Sequence, residues 1–238
     1  MTTEQLETEL VPDETETVSS TQSLSCSIVD YRRENGRTYH RYKDGKYNLP
    51  NDGLEAERLN LQHHLFLLTF DDSLGLAPPN KAKSEVKRVL DLGTGTGIWA
   101  MDFGDEHPEA HPTFVPPNVE FFIDDTDEEW NHSAPFDYIH SRMMTSSIGN
   151  WPDYLKKIYD NLNPGGYVEL QEADLFLSSD DATLHPTQPL PYCLKLMVYG
   201  WDRERVLLFL VDVRRELNDT GIHAYWPVYS IYARKPKV

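Results

Sequence analysis

Only two cysteines, Cys26 and Cys193, occur in 238 residues. That is too few for a disulfide framework or a cysteine-held metal cluster, and it fits a reducing compartment. Long hydrophobic runs are missing as well. The longest purely apolar stretch, residues 206–211, is far too short to span a bilayer. Positive charge is scarce, with 22 Lys and Arg against 39 Asp and Glu and a formal net charge of −17. Polyanions are normally bound by basic surfaces, because affinity comes largely from counterion release, so a nucleic-acid partner is disfavoured. The one basic concentration, Arg32, Arg33, Arg37, Arg41, Lys43 and Lys46, reads as a local patch or as a solvated loop. Residues 1–10 carry three glutamates and no basic residue, unlike a secretory or mitochondrial signal. The expectation is a cytoplasmic and/or nuclear protein with no membrane segment and no metal site.

Composition divides the chain in three. Residues 1–26 hold Glu4, Glu7, Glu9, Asp13, Glu14 and Glu16 among Ser and Thr, with no Lys or Arg. Such a segment buries too little apolar surface to offset its ordering entropy and reads as a disordered acidic tail. Residues 27–80 read as an irregular, Tyr- and Arg-rich stretch followed by a helix capped at Asn51 or Asp52. In that helix Leu54, Leu61, Leu65 and Leu68 share one face, which is expected to lie over the core. Residues 81–238 alternate predicted strands (86–92, 119–123, 136–140, 167–171, 228–233) with predicted helices (98–106, from Pro152 to Leu162, 202–217). The turn Asn163-Pro164-Gly165-Gly166 precedes the fourth of those strands. Strands alternating with helices specify an α/β fold, Rossmann-like, with a mostly parallel sheet and helices on both faces.

The strongest chemical signal lies where the first of these strands ends, in Gly93-Thr94-Gly95-Thr96-Gly97. A strand running through glycines into a helix exposes backbone N–H groups to a ligand. Dinucleotide sites use Gly-x-Gly-x-x-Gly with a pyrophosphate over the helix N-terminus. Here the glycines alternate and an acid, Asp91, stands just before them. A carboxylate at that place suits a cationic ligand better than a pyrophosphate.

The stretch 89–97, Val-Leu-Asp-Leu-Gly-Thr-Gly-Thr-Gly, resembles motif I of class I S-adenosyl-L-methionine-dependent methyltransferases. Leu162-Asn163-Pro164-Gly165-Gly166-Tyr167 resembles the later turn of that family. A narrower likeness joins Leu61-Gln62-His63-His64, the stretch 136–144 and His223-Ala224-Tyr225-Trp226-Pro227 to fungal methyltransferases of the LaeA type, regulators of secondary metabolism. It covers roughly residues 30–236. The resemblance implies S-adenosyl-L-methionine as cofactor, with Asp91, Gly93, Thr94, Gly95 and Gly97 at its methionine end. It also implies an adenine contact at Asp124 and Asp125, which read equally as the start of a solvated acidic loop. His140 ends the following strand on the side where open α/β sheets place ligands. His63, His64 and His140 are the histidines near the core; each reads as a packing residue as readily as a base, so no catalytic residue is assigned.

Two departures from the family pattern stand out. Between Gly97 and Val119 there are 21 residues, and after the predicted helix come Pro108, Pro112, Pro116 and Pro117 with no apolar run. The usual second strand, whose terminal acid grips the ribose hydroxyls, is therefore expected to be missing. The segment after the strand at 167–171 is also short, which thins the acceptor pocket. Two functions remain open. One is methyl transfer to a small metabolite or protein acceptor. The other is a weakly active or inactive regulatory protein acting through protein partners. The acidic tail is expected to be dispensable for folding: deleting residues 1–25 leaves Tm within a few degrees of the full chain in a thermal melt. A larger drop contradicts the reading of the tail.

Overall fold

Asp52 opens the first long helix because its carboxylate accepts a hydrogen bond from the Glu55 backbone N–H, leaving the first turn capped. A computed structural model describes residues 31–41, 47, 49–81, 84–107, 119–174, 176–184 and 203–237. The acidic tail and the Pro-rich stretch 108–118 lie outside the described residues. The chain divides into two units, residues 1–51 and 52–238.

In the first unit the expected irregular stretch contains a hairpin. Strands β1 (Arg32–Glu34) and β2 (Arg37–Tyr39) pair antiparallel around Asn35 and Gly36, both at positive φ (51° and 80°). An Asn-Gly pair between short extended runs favours this two-residue turn, because both positions tolerate the left-handed region.

In the second unit the order is α1 (Gly53–Thr69), a 3-10 turn (Pro78–Asn80), β3 (Val89–Leu92), α2 (Ile98–Glu106), β4 (Phe136–Arg142), α3 (Trp151–Asp160), β5 (Leu162–Ala173), α4 (Arg203–Leu217) and β6 (Val228–Arg234). The sheet runs β3-β4-β5-β6, with β3, β4 and β5 parallel and β6 antiparallel to β5. One face is apolar: Leu92, Ile139 and Leu162 pack with Tyr154 and Ile158 of α3. Pro152 sits in the first turn of α3, as the sequence suggests, and Asn150 caps it. The other face carries Val89 and Tyr138 beneath Trp99 and Phe103 of α2. Helices thus cover both faces of a mostly parallel sheet.

Three expectations fail in detail. Residues 119–123 form no strand; Phe121, Phe122 and Ile123 are 53%, 79% and 50% exposed. Their apolar content reads as a strand, but no ladder partner takes them up, and among the described residues β3 pairs only with β4. The leucines of α1 point outward: Leu54, Leu61, Leu65 and Leu68 are each more than half exposed, whereas Glu55, His63 and Phe66 are buried. The buried side carries Phe66 and Leu67 beside Glu55 and His63, in place of the leucine stripe. Lastly, β5 begins at Leu162, and residues 163–166 bulge within it rather than preceding it, since Phe136 pairs with Leu162 and Tyr138 with Tyr167. Gly166 is required there: a Cβ would lie 3.0 Å from the carbonyl oxygens of Asn163 and Asp137.

The Trp99-covered face is unusually polar at its centre. Glu169, fully buried, accepts hydrogen bonds from the Leu76 and Ala77 backbone N–H groups at 2.8 and 3.0 Å. Its carboxylate also accepts from Asn80 Nδ2, Tyr138 Oη, Gln171 Nε2 and Ser230 Oγ. These bonds pin the 74–80 segment to the sheet. Burial alone raises the carboxyl's pKa, but the Ser230, Leu76, Ala77 and Tyr138 donors outweigh it and hold the group below its ordinary value. A depressed folded pKa contributes stability above the unfolded carboxyl value of about 4.3 and loses it as pH falls through the folded value. Glu169→Gln presents an amide to these donors and is expected to cost about 3 kcal/mol in urea unfolding. It should also flatten the acid limb of the stability profile. An unchanged limb contradicts the assignment.

Candidate functional site

Parallel pairing sets Asp91 beside His140 across the β3–β4 ladder. Side chains opposite one another share a face, and His140 Nδ1 meets Asp91 Oδ1 at 2.7 Å, with both side chains nearly withdrawn from solvent. The imidazole lies flat on Trp99, with ring centroids 3.7 Å apart and planes 6° from parallel. Trp99 is held in turn by its Nε1–H donating to the Leu74 carbonyl at 2.9 Å. With Nδ1 donating to the carboxylate, His140 Nε2 remains an acceptor, buried and without a hydrogen bond. No hydrogen bond reaches Asp91 Oδ2 among the described residues.

Directly after Asp91 the chain turns through Gly93, Gly95 and Gly97 at φ 69°, 58° and 80°. Gly97 caps α2 in the left-handed region and its N–H donates to the Thr94 carbonyl. Three side chains rest on this turn. A Cβ at Gly93 would collide with Met144 Sδ, one at Gly95 would meet Leu59 Cδ1 at 3.3 Å, and one at Gly97 would meet Phe121 Cε1 at 2.6 Å. Thr96 is tied to α1 by its hydroxyl donating to Asn60 Oδ1. Met143, at φ 55°, turns the chain out of β4, and Glu172 fixes the next residues by accepting from the Met144 N–H and the Thr145 hydroxyl.

A second cluster adjoins the first. His63 of α1 donates from Nε2 to Asp102 Oδ2 of α2 at 2.8 Å, and its Nδ1 accepts from Arg142 at 3.1 Å. The Arg142 guanidinium stands over the Phe66 ring, 5.1 Å from its centroid. The structure thus assembles Asp91, His140 and the glycine turn. Asp124 and Asp125 lie in the loop after residue 123, where Asp124 Oδ1 accepts from the Asp125 N–H and Asp125 Oδ1 from the Asp127 N–H. His64 is exposed. The His63–Asp102–Arg142 chain was not joined from the sequence. Strand alternation could have placed Arg142 on the sheet face of Asp91 and His140, but nothing local points to His63 and Asp102. Among the described residues no group of three His, Cys, Asp or Glu side chains is arranged to hold a metal ion.

A parallel sheet whose first strand ends in an acid and an alternating glycine turn defines a methyltransferase domain. Residues 61–205 match the methyltransferase domain family, and the chain belongs to it. It is 42% identical to the methyltransferase pytC of Aspergillus terreus, over 72% of this chain and 55% of that protein. It is 35% identical to the secondary metabolism regulator LAE1 of Cochliobolus heterostrophus, over 71% of this chain and 57% of the relative. The probable methyltransferase tdiE of Emericella nidulans is 28% identical over 90% of this chain and 92% of its own length. That last alignment runs over 299 residues, more than this chain possesses, so the relative carries internal positions without a counterpart here. The chain spans about half the length of pytC and LAE1.

Gly97→Ala tests the turn. A Cβ in the left-handed region costs about 1–2 kcal/mol, and displacement of Phe121 adds to it. In urea unfolding, Phe121→Ala should recover the steric part in the double variant and leave the backbone part. Simple additivity of the two substitutions contradicts the packing of Phe121 on the turn.

Proposed function

We propose that this domain takes S-adenosyl-L-methionine at residues 93–97 and directs its methyl group to a small metabolite or a protein acceptor. Asp91 carries the reading. It is a nearly buried carboxylate at the end of β3, oriented by His140 on one oxygen and open on the other. The chemistry of these donors fits the amino-acid end of such a cofactor. A carboxylate suits its ammonium, and the glycine turn offers backbone approach where a pyrophosphate would be repelled by Asp91. When bound, the cofactor supplies a methyl group on a sulfonium, whose displacement depends on alignment and on exclusion of water. This chain's residues serve those needs: Trp99 and His140 form a dry floor under Asp91, and Glu172 holds the loop carrying Met144 against Gly93.

A second reading, a regulatory protein with weak cofactor affinity acting through protein partners, draws support from the edge position of β3. No strand stands beside it among the described residues to present a ribose-gripping acid. Each charge-assisted bond to a ribose hydroxyl contributes roughly 1.5–3 kcal/mol, so lacking two weakens binding by about two to four powers of ten. No helix among the described residues is long and apolar enough to cross a membrane.

Calorimetric titration of the purified chain with S-adenosyl-L-methionine separates these readings. Saturable one-site binding, weaker than low micromolar, is expected. Inserting a strand-plus-acid segment between Ala110 and Pro112 should strengthen it at least about tenfold. Low-micromolar binding by the unmodified chain contradicts the missing ribose contact. Absence of saturable binding in both proteins contradicts the cofactor site and leaves the regulatory reading.

A further inference from the structure

One cation near the glycine turn has no role in the reading above. Arg142 ends β4, two residues beyond His140, so it shares the sheet face of His140 and Asp91. Leu92 pairs with Ser141, which sets Arg142 level with Gly93, the first residue of the turn. Its guanidinium is backed by the Phe66 ring and donates one hydrogen bond, to His63 Nδ1 at 3.1 Å. Among the described residues this is its only hydrogen bond, although a guanidinium carries several N–H donors. Burial lowers its pKa while the charges of Asp91 and Asp102 act to raise it. The cation therefore lies within electrostatic reach of both carboxylates and is bonded to neither. Its remaining donors are not among the sealed, partnerless polar atoms of the fold, so they stay reachable for a ligand acceptor.

The partner that aims it is itself fixed. Burial first, and then the charge of Arg142, hold the His63 pKa below its usual value against the opposing pull of Asp102. A neutral imidazole donating from Nε2 to Asp102 keeps a lone pair on Nδ1, which is the acceptor Arg142 uses. The chain Asp102–His63–Arg142 thus orients the guanidinium without neutralising it, and the fork of remaining donors is free for a planar anion.

We infer that Arg142 binds the α-carboxylate of the amino-acid end of the cofactor while Asp91 binds its ammonium, with His63 and Asp102 as positioning residues. The inference rests on the glycine turn being the cofactor site, and it adds what that turn cannot supply: discrimination of an amino acid from an amine. A zwitterion presents opposite charges only a few bonds apart. Asp91 and Arg142, on one sheet face at adjacent levels, offer the complementary pair.

The test compares S-adenosyl-L-methionine with its decarboxylated analogue, which keeps the ammonium and sulfonium and lacks the carboxylate, in magnetic-resonance-detected titrations of the full chain. The native protein is expected to prefer the carboxylated ligand by roughly tenfold or more. Arg142→Gln should abolish that preference, weakening the carboxylated ligand about as much while leaving the analogue within about twofold. Arg142→Lys, which keeps the charge but loses the fork, should retain part of the preference. His63→Ala should lower it without changing affinity for the analogue. Equal affinity of the native chain for both ligands overturns the inference, and this comparison stands even if Arg142→Gln does not fold. Parallel loss of both ligands in Arg142→Gln also overturns it, assigning Arg142 a structural role. A native chain that binds neither ligand overturns the cofactor site itself, and the inference with it.

Discussion

The 2.7 Å contact between His140 Nδ1 and Asp91 Oδ1 is the constraint on which the rest of the site depends. It requires β3 and β4 to pair directly and in one register, because only then do the two side chains share a face at the same level. It fixes which imidazole nitrogen carries the proton, and so leaves Nε2 as a buried acceptor. It also determines which oxygen of Asp91 is taken and which is left without a hydrogen bond among the described residues. A charge-assisted bond of this kind contributes roughly 1.5–3 kcal/mol, enough to hold the carboxylate in one orientation before any ligand arrives.

The two faces of the sheet divide the labour. Leu92, Ile139, Leu162, Tyr154 and Ile158 form an apolar layer under α3. Burying each large side chain there contributes about 1.5–3 kcal/mol and needs no partner. The opposite face buries Tyr138, His140, Glu169 and Gln171, and such groups are tolerable only when hydrogen-bonded. Glu169 collects its donors from three separated parts of the chain, and Trp99 closes the layer over His140. The polar groups of that face have few alternative partners, which favours one arrangement of the side chains beside the site. The α1 helix follows the same logic: Glu55, His63 and Phe66 are turned inward while a leucine stripe faces out.

Much of this was legible in the sequence. The alternating glycines after Asp91 announced a strand-turn-helix junction, and all three occupy positive φ. Pro152 announced the start of α3. The Pro-rich stretch read as lacking a strand, residues 108–118, lies outside the described residues. What failed was decided by long-range contacts. Residues 119–123 have a strand's composition but no strand beside them among the described residues, and Phe121 packs on Gly97 instead. The leucines of α1 satisfy helical periodicity, yet the buried side carries Phe66 and His63, whose partner Asp102 is 39 residues away. The hairpin at residues 32–39 was missed although Asn35-Gly36 carried its signal, because the flanking runs are only three residues long. His63, Asp102 and Arg142 come from three elements, and no local pattern joins them.

The central claim is that Asp91 is held by a proton resident on His140 Nδ1. Nitrogen-15 magnetic resonance of the His140 side chain at neutral pH tests it most directly. The account predicts a single tautomer, with a hydrogen-bonded proton on Nδ1 and an unprotonated Nε2 that is shielded from solvent exchange. A proton on Nε2 with none on Nδ1, or a rapidly exchanging mixture of the two tautomers, would contradict the Asp91–His140 bond as the organiser of the site.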